Sequence, residues 1–213
     1  MKIDYEKVIA VTNRHLCRIP LVQQVEKICR LHPAGIILRE KDLPEDEYEA
    51  LARQVQAVCQ AYQVPLTLHN YPEAAINLGI RRIHLPLHRL KEWRSHQDSY
   101  QEAGQGTKTD SCTVKFDTIG SSVHSPQEAQ QAQALGASYV SAGHVFATDC
   151  KKGLPPRGLD FLRSVCDAVD IPVYAIGGIN LEPEKMRAAL DCGAAGVCIM
   201  SGMMGELPDP DHI

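Results

Sequence analysis

Residues 35–70 read GIILREKDLPEDEYEALARQVQAVCQAYQVPLTLHN, and the fold is decided there. GIILRE (35–40) is a short apolar run of the kind that forms a buried parallel strand. Behind it Tyr48, Leu51, Ala52, Val55, Val58, Cys59 and Tyr62 recur at intervals of three and four, which lines them along one face of a helix. PLTLHN (65–70) is then a second short run of strand character. Strand, amphipathic helix and strand make a βαβ unit.

The same alternation continues outward in both directions. Strands are expected at VIAVTN (8–13), GIILRE (35–40), PLTLHN (65–70), RIHLPL (82–87), DTIGSSVH (117–124), SYVSAGHVF (138–146), PVYAIGGI (172–179) and AGVCIMSG (195–202). Helical patterns lie between them at 21–31, 44–63, 74–78, 90–93, 126–135, 159–169 and 183–190. Eight such strands in a chain of 213 residues match an α/β fold closed as a (β/α)8 TIM barrel, one domain over 1–213, better than the alternative of an open doubly wound sheet. Two stretches break the pattern. SHQDSYQEAGQGTKTDSC (95–112) is polar and aperiodic and reads as a mobile loop before the fifth strand. MMGELPDPDHI (203–213) is too short and too rich in Pro and Asp for a full closing helix, so the last helix is short or missing. The outer faces of strands eight and one should then expose an apolar strip, and the chain should form a homo-oligomer.

Composition narrows the partners. Hydrophobic residues at 44%, charged residues at 23% and a formal charge of −4 are ordinary for a globular domain, and no cluster of Lys and Arg offers a surface for nucleic acid or an anionic membrane. A small molecule is the expected partner. The eight cysteines (17, 29, 59, 112, 150, 166, 192, 198) have neither Cys-x-x-Cys nor zinc spacing and read as reduced core thiols. MKIDYEKVIAVTNRH lacks the apolar core of a signal peptide and no run suffices for a membrane span, so the expected location is cytoplasmic.

Chemistry in such a barrel sits at the C-terminal strand ends. Alternate residues of a strand share a face, so Arg39 with Lys41, Thr67 with His69, His84 with His88, and Gly120 with Ser122 and His124 form sets that point inward together if the polar parity is the interior one. Plainer readings exist for each. Arg39 and Lys41 precede DLPEDE and suit a surface ion-pair cluster, while His84, between Ile83 and Leu85, suits a satisfied core histidine. His69 and His144 fall between the two readings. Ser125 and Glu128 form a capping-box pair, so a helix starts just after His124 and fixes its backbone. AIGGI and IMSGMM place Gly177, Gly178, Ser201 and Gly202 where barrels of this kind bind phosphate, although turn glycines need no ligand. GHVFATDCKKGLPPRGL (143–159), with Lys151 and Lys152, suits a lid over an anion or a plain solvated loop.

LREKDL, GSSVHSPQEA, GHVFATDCKKG, AIGGI and GVCIMSGM, in this order, resemble the superfamily of thiamine phosphate synthase and the thiazole tautomerase TenI over nearly the whole chain. The resemblance implies a (β/α)8 barrel acting on a thiazole phosphate. In the synthases, aspartates at the ends of strands three and four hold Mg²⁺; here those places read His69-Asn70 and Leu87-His88-Arg89. The Ser-Val-His-Ser and Gly-His-Val-Phe runs instead look like the tautomerase branch, in which His124 corresponds to the catalytic histidine. The resemblance then implies isomerisation of a dihydrothiazole carboxylate phosphate to the aromatic thiazole. His124 is the general acid and base, a task suited to a side chain whose ordinary pKa is about 6.5. Arg39 or Lys41 holds the carboxylate, Lys152 covers it, Ser122 and His69 contact the ligand, and Gly177, Gly178, Ser201 and Gly202 anchor the phosphate. No cofactor and no metal is expected.

Overall fold

The computed structural model describes residues 2–102, 115–148 and 153–208. Eight strands, β1 (Val8–Val11), β2 (Gly35–Leu38), β3 (Leu66–His69), β4 (Arg82–Pro86), β5 (Thr118–Val123), β6 (Tyr139–Gly143), β7 (Val173–Ile176) and β8 (Gly196–Ile199), pair in sequence order, and β8 closes in parallel onto β1. Helices α1 (Leu21–Cys29), α2 (Glu45–Ala61), α3 (Pro72–Asn77), α4 (Leu87–Glu102), α5 (Pro126–Ala134), α6 (Gly158–Asp167), α7 (Pro183–Leu190) and α8 (Ser201–Met204) follow their strands in turn. The closed barrel expected from the alternation is therefore the observed fold, and the open sheet is excluded.

Strand parity sorts two cores. Outward-facing Val8, Ala10, Ile36, Leu38, Leu68, Ile83, Leu85, Val123, Val140, Ala142, Val197 and Ile199 are buried beneath the helices. Inward-facing Ile9, Val11, Ile37, Tyr139 and Cys198 make a second, smaller cluster. It is small because the upper interior is polar, with His69, His84 and Ser141 all buried there. Buried polar groups are kept only where they find partners, so this layer is a place to look for function.

Three expectations change. α4 runs from Leu87 to Glu102, so the first part of the expected loop at 95–112 is helical, and the rest lies outside the described residues. Its composition is so polar that the periodicity carried by Leu87, Leu90 and Trp93 fades to nothing beyond residue 93. The closing helix is short, as expected, with four residues in α8, but no apolar strip results. Val8, Ala10, Val197 and Ile199 are all fully buried, as are Met203 and Met204 of α8. The side chain of Gln24, on α1, donates to the carbonyls of Met203 (2.8 Å) and Gly205 (2.9 Å), which terminates α8 and draws it over the seam between β8 and β1. Among the described residues the exposed large hydrophobics are Leu16 and Leu154, so a homo-oligomer loses the argument made for it. Finally, each hydrogen-bonded strand stops before its expected end at the top of the barrel, leaving the residues between strand and helix as site loops.

Cys29, Cys59, Cys192 and Cys198 are buried free thiols and Cys17 and Cys166 half-buried ones, while Cys112 and Cys150 lie outside the described residues. No helix among the described residues is long and apolar enough to cross a membrane.

Candidate active site

A cavity of about 430 Å³ opens at the C-terminal ends of the strands. Its lining brings together Arg39, Lys41, His69, Ser122, His124, Gly177, Gly178 and Ser201 from the expected set, and adds Ser141, His144 and Thr148. The polar parity is thus the interior one. Gly202 does not line the cavity. A side chain there would press within 3.2 Å of Asn180, Leu181 and Ile199, so close packing is one reason for glycine at 202. Lys151 and Lys152 lie outside the described residues.

His124 stands one residue past the last residue of β5 and is exposed to the cavity. The N-cap half of the box expected behind it is present, with Glu128 N–H donating to Ser125 Oγ at 3.1 Å, while the Glu128 carboxylate accepts from His124 N–H at 2.6 Å, one residue before the cap. The ring is fixed independently. His124 Nδ1 lies 3.0 Å from the Gly143 carbonyl, which can only accept, so in the neutral ring Nδ1 carries the proton and Nε2 the lone pair. A side chain at Gly143 would sit 3.0 Å from Ile176 and 3.9 Å from the His124 ring, so glycine is what lets β6 come this close.

The cations are set by a device on the opposite face. Glu40, 2% exposed, accepts from Thr12 Oγ1 (2.7 Å), Arg14 N–H (3.0 Å) and the Arg14 guanidinium (3.2 Å), and Arg14 also pairs with Asp42. Thr12 Oγ1 in turn accepts from Arg39 N–H at 2.8 Å. With Glu40 drawn outward, Arg39 and Lys41 face the cavity. Partial burial and then the neighbouring Arg39 charge push the Lys41 ammonium below its ordinary pKa, as expected of like charges gathered at one mouth.

The other histidines separate. His84 is buried between Tyr139 and Ser122 and is the satisfied core histidine of the plainer reading. His69 lines the cavity but is held neutral, its pKa pushed down to about 2 by burial first and then by His84, Arg39 and Lys41. It can contact a ligand and cannot trade protons near neutral pH. His144 is 6% exposed, and both of its ring nitrogens are buried without a hydrogen-bond partner. The sequence left this residue undecided, and its place directly after Gly143 was the signal that it belongs to the site.

Gly177 and Gly178 have φ of 103° and 68°, and Lys185 Nζ donates to the Gly178 carbonyl at 3.1 Å. A Cβ on Gly177 would lie 2.5 Å from His144 Cβ, and one on Gly178 would strike the Phe146 and Ala147 carbonyls. Gly178→Ala is therefore expected to destabilise the fold by more than about 1 kcal/mol, from the left-handed backbone alone. Chemical denaturation of the two proteins side by side checks it, and equal midpoints would show that the turn can relax.

A second cavity of about 690 Å³ adjoins the first through Lys41, His69 and Pro86 and reaches Asn70, His88 and Arg89. This is where the resemblance places the aspartates of the synthases. Asn70 Oδ1 is buried without a partner, and Arg89 carries its own positive charge into an ion pair with Glu92 at 3.2 Å. Glu45 and Glu73 also line this cavity, but the amide and the guanidinium at the two places themselves supply no anionic oxygen to a hard dication that needs several. Among the described residues no group of three or more His, Cys, Asp or Glu side chains is placed to hold a metal ion.

Residues 8–203 match the family described as thiamine monophosphate synthase. The chain belongs to that family. Thiamine-phosphate synthase of Serratia proteamaculans is 32% identical over 204 residues, covering 93% of this chain and 88% of that protein. Thiamine-phosphate synthase 2 of Streptococcus pneumoniae is 28% identical over 195 residues, covering 91% and 85%. Among solved structures, a thiamine phosphate pyrophosphorylase from Pyrococcus furiosus superposes with a TM-score of 0.73 at 26% identity, covering 95% of this chain and 90% of that one. An N-acetylmannosamine-6-phosphate 2-epimerase from Clostridium perfringens, at 15% identity and a TM-score of 0.60, shares the fold alone. The family expected from the motifs is confirmed, and the names of these family members are those of synthases or pyrophosphorylases, not tautomerases.

Proposed function

We propose that this family member is an isomerase, a thiazole tautomerase that converts a dihydrothiazole carboxylate phosphate into its aromatic tautomer. The observation that carries the reading is the His124 ring, whose Nδ1–H is committed to the Gly143 carbonyl so that Nε2 meets the cavity as a base. In the reaction Nε2 takes the proton from the ring carbon bearing the carboxylate. The electron pair moves through the ring to the exocyclic carbon, and the imidazolium returns the proton there. No atom is gained or lost, and one residue serves as base and then acid. Arg39 and Lys41 hold the carboxylate and offset the charge that grows on deprotonation. The main chain at Gly177, Gly178 and Ser201 anchors the phosphate, with the unpaired His144 ring beside it.

A second reading, a thiamine phosphate synthase or a non-catalytic binder of thiazole or thiamin phosphate, is favoured by the names of the relatives. Asn70 and Arg89 weigh against the synthase, because the carboxylates that would hold Mg²⁺ are replaced by an amide and a cation. The expected result is no Mg²⁺-dependent thiamine phosphate from the pyrimidine pyrophosphate and thiazole phosphate, alongside isomerisation of the dihydrothiazole above its spontaneous rate. Appreciable coupling would establish the synthase. Tight binding of the aromatic product with no rate would establish the binder.

A further inference from the structure

A buried polar chain runs beneath the cavity floor, and the isomerisation above makes no use of it. The Tyr139 hydroxyl lies 3.0 Å from His84 Nδ1, and His84 Nε2 lies 2.8 Å from Ser122 Oγ. Ser141 Oγ is 3.3 Å from Ser122 Oγ and 3.5 Å from His84 Nε2, so both serines lie within reach of that nitrogen. Tyr139 and His84 are 6% and 3% exposed, whereas both serines reach the cavity. Gly120 admits the arrangement, since a Cβ there would overlap the Tyr139 ring and come within 2.5 Å of His84 Nδ1.

Counting protons gives the chain a direction. Burial first, and then the Arg39 charge, push the His84 pKa down to about 4, so near neutral pH one ring nitrogen donates and the other accepts. Were Nδ1 the donor, the Tyr139 O–H would need a second acceptor, and among the described residues His84 is its one hydrogen-bond partner. A buried hydroxyl proton without an acceptor is disfavoured. With Nε2 as donor, every proton is placed: Tyr139 O–H donates to His84 Nδ1 and His84 Nε2–H donates to Ser122 Oγ. The serine pair then receives a proton from below and has two of its own. One is spent between the serines and one is left over. Whichever serine keeps it, that O–H faces the cavity.

We infer that Tyr139 and His84 are positioning residues, which make the Ser122–Ser141 pair a hydrogen-bond donor of fixed polarity toward the ligand. The site thereby selects a molecule presenting a lone pair at that point, a carboxylate or phosphate oxygen or a ring nitrogen, and rejects one presenting N–H or O–H. Only the identity of the ligand used below rests on the proposed function.

Two measurements test this. In the ligand-free protein the ¹⁵N shifts of the His84 ring should report a protonated Nε2 and an unprotonated Nδ1. A ring protonated on Nδ1 overturns the inference whatever the protein's substrate. Binding of the aromatic thiazole carboxylate phosphate, followed by calorimetry, should weaken about 3- to 10-fold in Tyr139→Phe and in the pair variant Ser122→Ala/Ser141→Ala, the loss expected of one hydrogen bond. Adding Tyr139→Phe to that pair variant should weaken binding no further, because the hydroxyl of Tyr139 acts only through the two serines. Losses that multiply would make Tyr139 a packing residue and overturn the inference. If the parent protein does not bind that compound, the proposed function fails, and the His84 tautomer still decides the direction of the chain.

Discussion

His124→Gln is expected to slow isomerisation of the dihydrothiazole by roughly 10²- to 10⁴-fold while leaving the fold and the affinity for the aromatic product in place. Glutamine can still donate to the Gly143 carbonyl, so the side chain should hold its position and lose only the transferable proton. The main-chain hydrogen bond from residue 124 to Glu128 does not depend on the side chain. Aromatisation also proceeds without enzyme, so the comparison is between rates from which the spontaneous one has been subtracted. A parent-like rate would place the base elsewhere. His69 is then a poor replacement, because its neutral ring lacks affinity for a proton, and His144, buried and unpaired at the same mouth, becomes the residue to test.

The second large effect is on stability in acid. His69 and His84 are buried neutral, with pKa pushed down to about 2 and about 4, while in the unfolded chain both return to the ordinary value of about 6.5. Below that value the unfolded state binds protons that the folded state refuses, so stability rises with pH and is lost as pH falls. Each ring contributes a slope of up to about 1.4 kcal/mol per pH unit. The slope for His84 ends near pH 4, where the folded state takes its proton too, and that for His69 persists further down. Guanidinium unfolding at pH 7.5, 6.5, 5.5 and 4.5 should show the free energy falling steeply over the last three, and His69→Gln should reduce the slope by about half. The paired carboxylates Asp42 and Glu26 have lowered pKa and enter below this window. A flat profile from pH 6.5 to 4.5 would mean that the two rings are hydrated or charged in the folded protein.

Much of this architecture is legible in residues that sit one after another. Parallel strands buried on both sides are short apolar runs, so all eight could be found, and a period of two set Arg39 with Lys41 and Ser122 with His124 on shared faces while leaving open whether those faces point inward. What could not be read depends on which strand lies beside which, and in what register. His84 meets Ser122 and Tyr139 because β4 aligns His84 with Gly120 and β6 aligns Tyr139 with the same Gly120, whose missing side chain leaves the opening. Nothing local to residues 84, 120 or 139 announces that meeting. Gly202 shows the converse: its neighbourhood resembles a phosphate turn, and the close approach of Asn180 and Leu181, which no local run of sequence announces, gives its small size a packing reason as well. The expected apolar strip failed because one glutamine on α1 and two methionines on a four-residue helix cover what a full closing helix would have covered.

Hydrogen bonding along β2 ends at Leu38, yet the chain from Arg39 to Asp42 is tied to Thr12 and Arg14 by Glu40, Asp42 and the Arg39 amide. An untethered segment would have to surrender about 1–2 kcal/mol of conformational entropy per residue when an anion arrived. Here that loss is incurred during folding, before any ligand is present, so an arriving anion has little of this segment's main chain left to order. Cutting the tether with Thr12→Val would therefore be felt as weaker ligand binding at a mouth whose charges are all still in place.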